Sequence, residues 1–124
     1  MIDVVISALK SSSSVTTYVD ADNIYPLFRL QGGTIPAIVV QLVDTTPVDT
    51  HDQAIDMDVH VVELTIFHTN PKGAWKTGEA VRARMESLQD LRIKETRFIT
   101  QTTDVFEVQD ATSLSQRYEC SMTR

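Results

Sequence analysis

The chain has few of the residues that build reactive sites, cross-links or membrane spans. It contains one cysteine, Cys120, so no disulfide can form within the chain. No run of about 18 apolar residues is present, and residues 1–10 carry neither a basic start nor a small-residue cleavage site. We therefore expect neither a membrane span nor a signal peptide. One tryptophan and three tyrosines are too few to line a deep apolar ligand pocket.

Basic residues are also scarce. Eleven Lys and Arg stand against 17 Asp and Glu, which gives a net charge of -6. This balance argues against a general nucleic-acid binder, because such a protein carries a basic patch or stripe. The apolar content of 42% and the charged content of 23% are ordinary for a folded protein. A length of 124 residues fits a single domain, residues 1–124, with one core.

Hydrophobic periodicity predicts the elements of the first half. Apolar residues at helical spacing predict a helix over residues 2–12, and a short turn over 14–19 follows with Ser13 or Ser14 as its cap. Strands are predicted at 23–30, where Pro26 indicates an edge, and at 36–43, which is apolar on both faces like a covered strand. The polar segment 44–52 reads as a loop.

The longest predicted strand covers residues 55–67. Its apolar residues change phase near Val61 and Val62, which predicts a β-bulge there. Asn70 and Pro71 then open a helix that ends near residue 88 or 89. Its apolar stripe includes a glycine, Gly78, which predicts close approach to the sheet; the stripe is Trp75, Gly78, Val81, Met85 and Leu88.

Two more strands complete the predicted fold. The first covers residues 93–99 and resumes at 105–109 after a break, and the second alternates apolar and polar residues from Leu114 to Met122. The order is α-β-β-β-α-β-β. This order predicts an α+β fold with a mostly antiparallel four- to five-stranded sheet and two helices packed against it.

Candidate metal ligands concentrate in one segment. His and carboxylate side chains can bind a transition metal, and this segment holds His51, Asp52, Asp56, Asp58 and His60. A metal-dependent hydrolase built on His51, Asp56, Asp58 and His60 is therefore one functional hypothesis. The competing interpretation is a solvated loop and strand face, where polar residues are expected in any case.

One basic concentration stands out in the second half. It consists of Arg82, Arg84, Arg92, Lys94 and Arg97. The first interpretation is a solvated helix face and strand, and the second is a contact patch for an acidic neighbouring subunit. The polar loop Thr45–Ala54, which contains Thr50, His51 and Asp52, has too few apolar residues to bury itself, so it is a candidate for ordering on assembly. Candidate subunit-interface residues are Thr50, His51, Asp52, Arg82, Arg84 and Arg97.

The most specific phrase of the chain is Ile24-Tyr25-Pro26, followed some ten residues later by the strand Pro36–Val40. Together with several other phrases, it resembles the tail completion proteins of tailed bacteriophages, also described as tail terminator or head–tail joining proteins. The resemblance covers nearly the whole chain, although residues 91–112 match only in general shape. The other phrases are Ile2–Leu9, Ile35–Gln41, Thr50-His51-Asp52, Val59–Phe67, Ala74–Arg82 and the strand around Tyr118.

The resemblance implies a structural role without catalysis. Such proteins form a ring, typically a hexamer, which caps the tail tube and docks onto the head connector. It implies no catalytic residue, no cofactor and no metal, and a place in the tail or neck of a virion assembled in the host cytoplasm. DNA would pass through the ring without specific binding, which an acidic bore favours by repelling the phosphate backbone. The alternatives are the metal-dependent hydrolase and a non-viral α+β module that binds a small molecule or a peptide strand.

Overall fold

A computed structural model describes residues 2–26, 36–49, 54–88, 93–106 and 111–123. Within these ranges the chain forms three α-helices and five strands, with one turn of 3-10 helix, Ala21–Asn23, before the first strand. The elements in chain order are α1 Ile2–Lys10, α2 Ser13–Thr16, β1 Ile24–Pro26, β2 Ala37–Asp49, β3 Ala54–His68, α3 Pro71–Glu86, β4 Ile93–Phe106 and β5 Ala111–Thr123. The predicted α+β class and element order are confirmed, and the short turn predicted over 14–19 is α2, which covers Ser13–Thr16.

The five strands form one mixed sheet in the order β1-β2-β3-β5-β4. β1 runs parallel to β2, and every other neighbouring pair is antiparallel. Pro26 lies in the edge strand β1, as predicted, because a proline there removes no hydrogen bond from the sheet interior. The predicted continuation of this strand to residue 30 lies outside the described residues.

The helices cover one face of the sheet and create the core between the two layers. Alternation along β5 places Leu114, Tyr118 and Cys120 on the covered face, each fully buried. The opposite face of β5 carries Arg117 and Glu119, as the sequence predicted. Burial of each large apolar side chain stabilises the fold by roughly 1.5–3 kcal/mol.

The first helix buries Val5 and Leu9 against β1, β2 and α3. It ends at Lys10, two residues before the predicted end, because the Ser11 hydroxyl donates a 3.0 Å hydrogen bond to the Ala8 carbonyl and competes with the helical pattern. The predicted cap at Ser13 or Ser14 is wrong. Ser12 occupies the N-cap position of α2, and its side chain makes no capping hydrogen bond.

Helix α3 begins as its sequence predicts. The Asn70 carboxamide oxygen accepts a 2.6 Å hydrogen bond from the Gly73 N–H, and Pro71 follows at the first helical position. Gly78 approaches the sheet so closely that a Cβ there would collide with Leu114. The Trp75 prediction is wrong: its side chain is 53% exposed, and Ala74 and Thr77 are buried instead.

The segment predicted as a loop at 44–52 is a strand through Asp49. β2 continues to that residue and pairs with β3, because a paired partner satisfies the backbone groups of even a polar segment. The bulge lies where predicted but on the other strand. Leu42 pairs with Val62 and Asp44 with Val61, so the extra residue is Val43.

The phase change in β3 has a different cause from the predicted one. β3 pairs with β5 in unbroken register from Met57 to His68, so its side chains alternate without interruption. Val62 pairs with the buried Tyr118 and lies on the covered face, whereas Val59 and Val61 lie on the opposite face. The apolar residues therefore change face along the strand.

Strand β4 has no break at 102–104. It runs continuously from Ile93 to Phe106, and two register shifts against β5, one between Ile93 and Glu95 and one between Phe98 and Thr100, take up the irregularity. Lys94 and Ile99 are the extra residues. Bulges preserve pairing on both sides of an inserted residue, so the strand continues where its polar composition suggested a break.

Candidate assembly surfaces

The predicted interface residues that the structure describes lie on separate surfaces. Thr50, His51 and Asp52 lie outside the described residues. The three arginines are described, and the structure distributes them over three different surfaces: the β4 side of α3, the contact of α3 with α1, and the uncovered face of the sheet. They form no common patch, and their role in subunit contacts stays a prediction.

Arg82 lies between α3 and the edge strand β4. Its Nε donates a 2.7 Å hydrogen bond to Glu86 one turn later, and its guanidinium lies 3.9 Å from the centre of the Phe98 ring. Phe98 in turn meets the Tyr118 ring edge to face, with 5.6 Å between the ring centres. Arg82 therefore covers an aromatic pair whose inner member is in the core, while its own surface remains accessible.

Arg84 points to the other side of α3. Its Nε donates a 3.0 Å hydrogen bond to the Ala8 carbonyl, one of the last four carbonyls of α1. These carbonyls have no partner within their own helix, and a cation near them also suits the helix dipole. Arg84 thus fastens the end of α1 to α3, which is a folding role.

The uncovered face of the sheet holds Arg97. Its guanidinium is 3.6 Å from the Glu119 carboxylate, and Arg117 makes a similar 3.3 Å contact with Glu63 on the neighbouring strand. Exposed ion pairs of this type contribute about 0–1 kcal/mol each. This face is polar along β5 and β4, and it has no helix packed on it among the described residues.

The candidate metal ligands are only partly described. Asp58 and His60 lie on the same face of β3, and His60 Nδ1 is 2.9 Å from the Thr45 hydroxyl. Desolvation lowers the pKa of His60, and the nearby Asp58 opposes that shift. His51 and Asp52 lie outside the described residues, and only the backbone of Asp56 is described. No group of three or more His, Cys, Asp or Glu residues within the described ranges could hold a metal ion.

The thiol and the phenol nearest the core are protonated at neutral pH. Burial raises the pKa of the Cys120 thiol and of the Tyr118 phenol. A buried protonated thiol is a poor nucleophile, so Cys120 behaves as a small apolar side chain. In the described part of the chain, no helix is long and apolar enough to cross a membrane.

Two exposed apolar surfaces lie at opposite sides of the sheet, and sequence analysis missed both. The first flank consists of Leu42 and Val43 on β2, which are 36% and 41% exposed. The second flank lies where Trp75 on α3, which is 53% exposed, borders the edge strand β4, whose Ile99 is 44% exposed. Val43 and Ile99 are both bulge residues. Sequence alternation assumes regular pairing, so it placed Val43 on a covered strand and carried no signal for either flank.

The second flank borders a groove of about 360 Å³. Trp75, Gly78, Glu79, Arg82 and Gln101 line it. The floor is fixed by Gln116, whose side-chain amide donates hydrogen bonds of 3.0 Å to the Gly78 carbonyl and 2.8 Å to the Gln101 side chain. The groove is therefore a firm surface with an indole and a guanidinium on its rim. Trp and Arg are both enriched in protein–protein interfaces relative to the rest of the protein surface.

Comparison with known protein families assigns the chain to one of them. Residues 3–118 match the family described as "Tail completion protein gp17". The chain belongs to this family, which confirms the resemblance in its sequence, and the chain is thus a structural tail protein of a bacteriophage-type virion.

A structural comparison agrees with this fold. A chain in the structure described as "Virion of native gene transfer agent (GTA) particle" aligns with a TM-score of 0.71 at 13% sequence identity. The alignment covers 97% of this chain and 92% of the other. At this identity the likeness shows the fold alone. No curated protein sequence matches the chain.

Proposed function

We propose that this protein forms a ring that ends the phage tail tube and joins it to the head connector. The observation that carries the proposal is the family match, which spans residues 3–118 and thus nearly the whole chain. The likeness to a chain of a gene transfer agent particle supports a subunit fold that operates within a virion. The partners are other copies of the chain, the tail tube protein and the connector or adaptor protein.

The surface of the chain suits a ring physically. A closed ring needs heterologous contacts, in which one surface of a subunit meets a different surface of the next. The two exposed apolar flanks are unlike each other and lie on opposite sides of the sheet. A ring of such subunits, typically a hexamer, would carry a large negative charge, because each chain has a net charge of -6. An acidic bore would let DNA pass without adhering to the wall.

Assembly on tail tubes tests the proposal. The purified chain is mixed with tubes polymerised from the major tail protein of the same phage, and tube ends are imaged by electron microscopy. The expected result is a ring at one end of each tube, with further polymerisation stopped and connector binding gained. A chain that leaves tube length, tube ends and connector binding unchanged would contradict the proposed role. Light scattering of the chain alone measures whether the ring forms before it meets the tube.

A further inference from the structure

A shallow trough follows the contact between α2 and α3. It consists of two joined grooves of about 470 Å³ and 260 Å³, which share Ser14, Ala80 and Ala83. The larger groove reaches Lys76, and the smaller one reaches Arg84. These two residues lie about 12 Å apart along the axis of α3. The trough therefore has room for roughly three to four residues of an extended segment.

Arg84 has hydrogen-bond donors that no described residue accepts. Its Nε donates to the Ala8 carbonyl at 3.0 Å, which fixes the side chain against the end of α1. Its terminal nitrogens, Nη1 and Nη2, carry further N–H donors. Arg82, Arg97 and Arg117 each contact a carboxylate, whereas Arg84 contacts none within the described ranges. A partly buried guanidinium in this situation is stabilised by an anionic ligand.

The lining of the smaller groove suits an anion. Among the described residues no acidic side chain lines it, and Ser12 and Ser14 contribute hydroxyl groups beside Arg84. The Ser12 side chain makes no capping hydrogen bond, so its hydroxyl can donate to a ligand. Ala80 and Ala83 also line the groove, and their small side chains allow a bound backbone to approach α3 closely.

Two acidic side chains lie in adjoining grooves. Asp3 lines a groove of about 430 Å³ on the α1 side of Arg84, and the α-amino group of the chain lowers the pKa of Asp3. The Asp3 carboxylate thus interacts with a different cation. Glu79 lies in the larger groove together with Lys76, so opposite charges balance there. The unbalanced positive charge of the trough is therefore at its Arg84 end.

We propose that this trough binds an acidic segment of a partner protein, with one carboxylate of the segment held by Arg84. A planar guanidinium binds a carboxylate through two parallel hydrogen bonds. A DNA backbone needs several cations in a row, whereas one unbalanced cation beside small side chains suits a single carboxylate. This inference rests on the proposed function, which brings other virion proteins to the chain.

An NMR titration with an acidic peptide tests the site. The probe is a short acetylated and amidated peptide of alternating alanine and glutamate, added to ¹⁵N-labelled chain at constant ionic strength. We expect saturable shifts in the amide signals of Ser14, Ala80 and Ala83 and in the Nε–H signal of Arg84. A control peptide with glutamine in place of glutamate lacks the carboxylates and should bind more weakly by about fivefold or more.

Two variants separate recognition from folding. Arg84→Lys keeps the positive charge and a donor for the Ala8 carbonyl but loses the planar fork, so affinity for the peptide should fall about tenfold. Ala83→Gln places a longer side chain in the trough at an exposed position, leaves Arg84 intact and should also weaken binding. Arg117→Lys, on the uncovered face of the sheet, is the matched control and should bind the peptide like the wild-type chain. Melting temperatures show whether each variant is folded.

The outcomes separate the site from the proposed ring. Equal affinity of the wild-type chain and both trough variants, or peptide shifts confined to other residues, overturns the site. Tighter binding of a short DNA duplex than of the peptide at Arg84 overturns the assignment to a carboxylate. If the trough variants leave ring formation, tube capping and connector binding unchanged, the partner assignment is wrong. A wild-type chain that forms no ring and caps no tube contradicts the proposed function, and the titration still decides the site.

Discussion

Gln116 is a polar residue at the centre of the core. It is fully buried, and its amide nitrogen donates to the Gly78 carbonyl and to the Gln101 side chain. Its amide oxygen accepts a 2.7 Å hydrogen bond from the Tyr118 hydroxyl. One side chain thus ties α3, β4 and β5 together. Because each polar atom has a partner, the network sets the position of the helix on the sheet rather than weakening the core.

We predict that Gln116→Leu destabilises the protein by about 2–3 kcal/mol. Leucine fills nearly the same volume, but it leaves the buried Tyr118 hydroxyl without its partner, and a lone buried donor costs about 1–3 kcal/mol. Urea unfolding followed by circular dichroism measures the change. Tyr118→Phe leaves the buried Gln116 Oε1 without this donor, so it should also cost about 1–3 kcal/mol. A Gln116→Leu variant as stable as the wild-type chain would contradict the role of the network.

His68 links folding to pH. Desolvation lowers its pKa below the ordinary value of 6.5. Its Nδ1 accepts a hydrogen bond from the Asn70 N–H at 3.4 Å, which only the ring form with an unprotonated Nδ1 can do. The folded state therefore binds fewer protons than the unfolded state as the pH falls below 6.5, so stability decreases in that direction.

We predict that His68→Asn flattens the fall in melting temperature between pH 7 and pH 5. The asparagine oxygen can accept from the Asn70 N–H in place of Nδ1 and does not titrate. The measurement is calorimetry of both chains across this range. Part of the pH dependence of the melting temperature should remain in this variant, because the pKa of His60 is also lowered in the folded state. Ser14→Ala on α2, which removes no titrating group, should retain the wild-type slope, and an unchanged slope in His68→Asn would exclude the linkage.

The two N-cap residues, Asn70 and Ser12, differ in how much their side chains stabilise the fold. Asn70→Ala removes the oxygen that accepts the Gly73 N–H, and we expect a loss of about 1 kcal/mol, within a range of 0.5–2. Ser12 occupies the same position on α2 without a capping hydrogen bond, so Ser12→Ala should change stability by less than about 0.5 kcal/mol. Chemical denaturation of both variants gives the comparison. Similar losses in the two variants would show that capping is not the cause.

Elements whose signals are local could be predicted from the sequence. The alternation of β5 and the Asn70-Pro71 start of α3 depend on neighbouring residues only, and both are confirmed. The extension of β2 to Asp49 depends on pairing with β3, which lies beyond any local window. The exposure of Trp75 likewise depends on which side of α3 faces the sheet. The spacing of apolar residues shows that the segment is a helix, but a tryptophan at the margin of the apolar stripe can face either the sheet or the solvent.

The assembly surfaces were harder to predict than the fold. Clustering of arginines along the chain suggested one patch, but Arg82, Arg84 and Arg97 lie on three surfaces, because α3 and β4 turn their side chains in different directions. Each exposed flank contains one bulge residue, Val43 or Ile99, and an inserted residue changes the facing of its side chain. The pairing register between two strands determines where a bulge occurs. Hydrophobic alternation within one strand does not reveal that register.

At the scale of the whole molecule, the fluorescence of Trp75 offers a test of the proposed assembly that needs no added label. It is the one tryptophan of the chain, and it is half exposed on the second flank. We predict that its fluorescence shifts to the blue and that acrylamide quenching falls when copies associate, because the indole loses contact with water. A titration of protein concentration, with and without tail tubes, measures both. Rings seen by light scattering with an unchanged Trp75 spectrum would place the contact elsewhere.

The proline and the bulges at the sheet margins also bear on how a cell can make this protein in quantity. Pro47 on β2 and the bulges at Val43, Lys94 and Ile99 interrupt regular backbone pairing, and such interruptions oppose the strand stacking that builds fibrils. Replacing Pro47 with valine should then shorten the lag time of thioflavin-positive aggregation on prolonged incubation, even where the folded chain itself is no less stable.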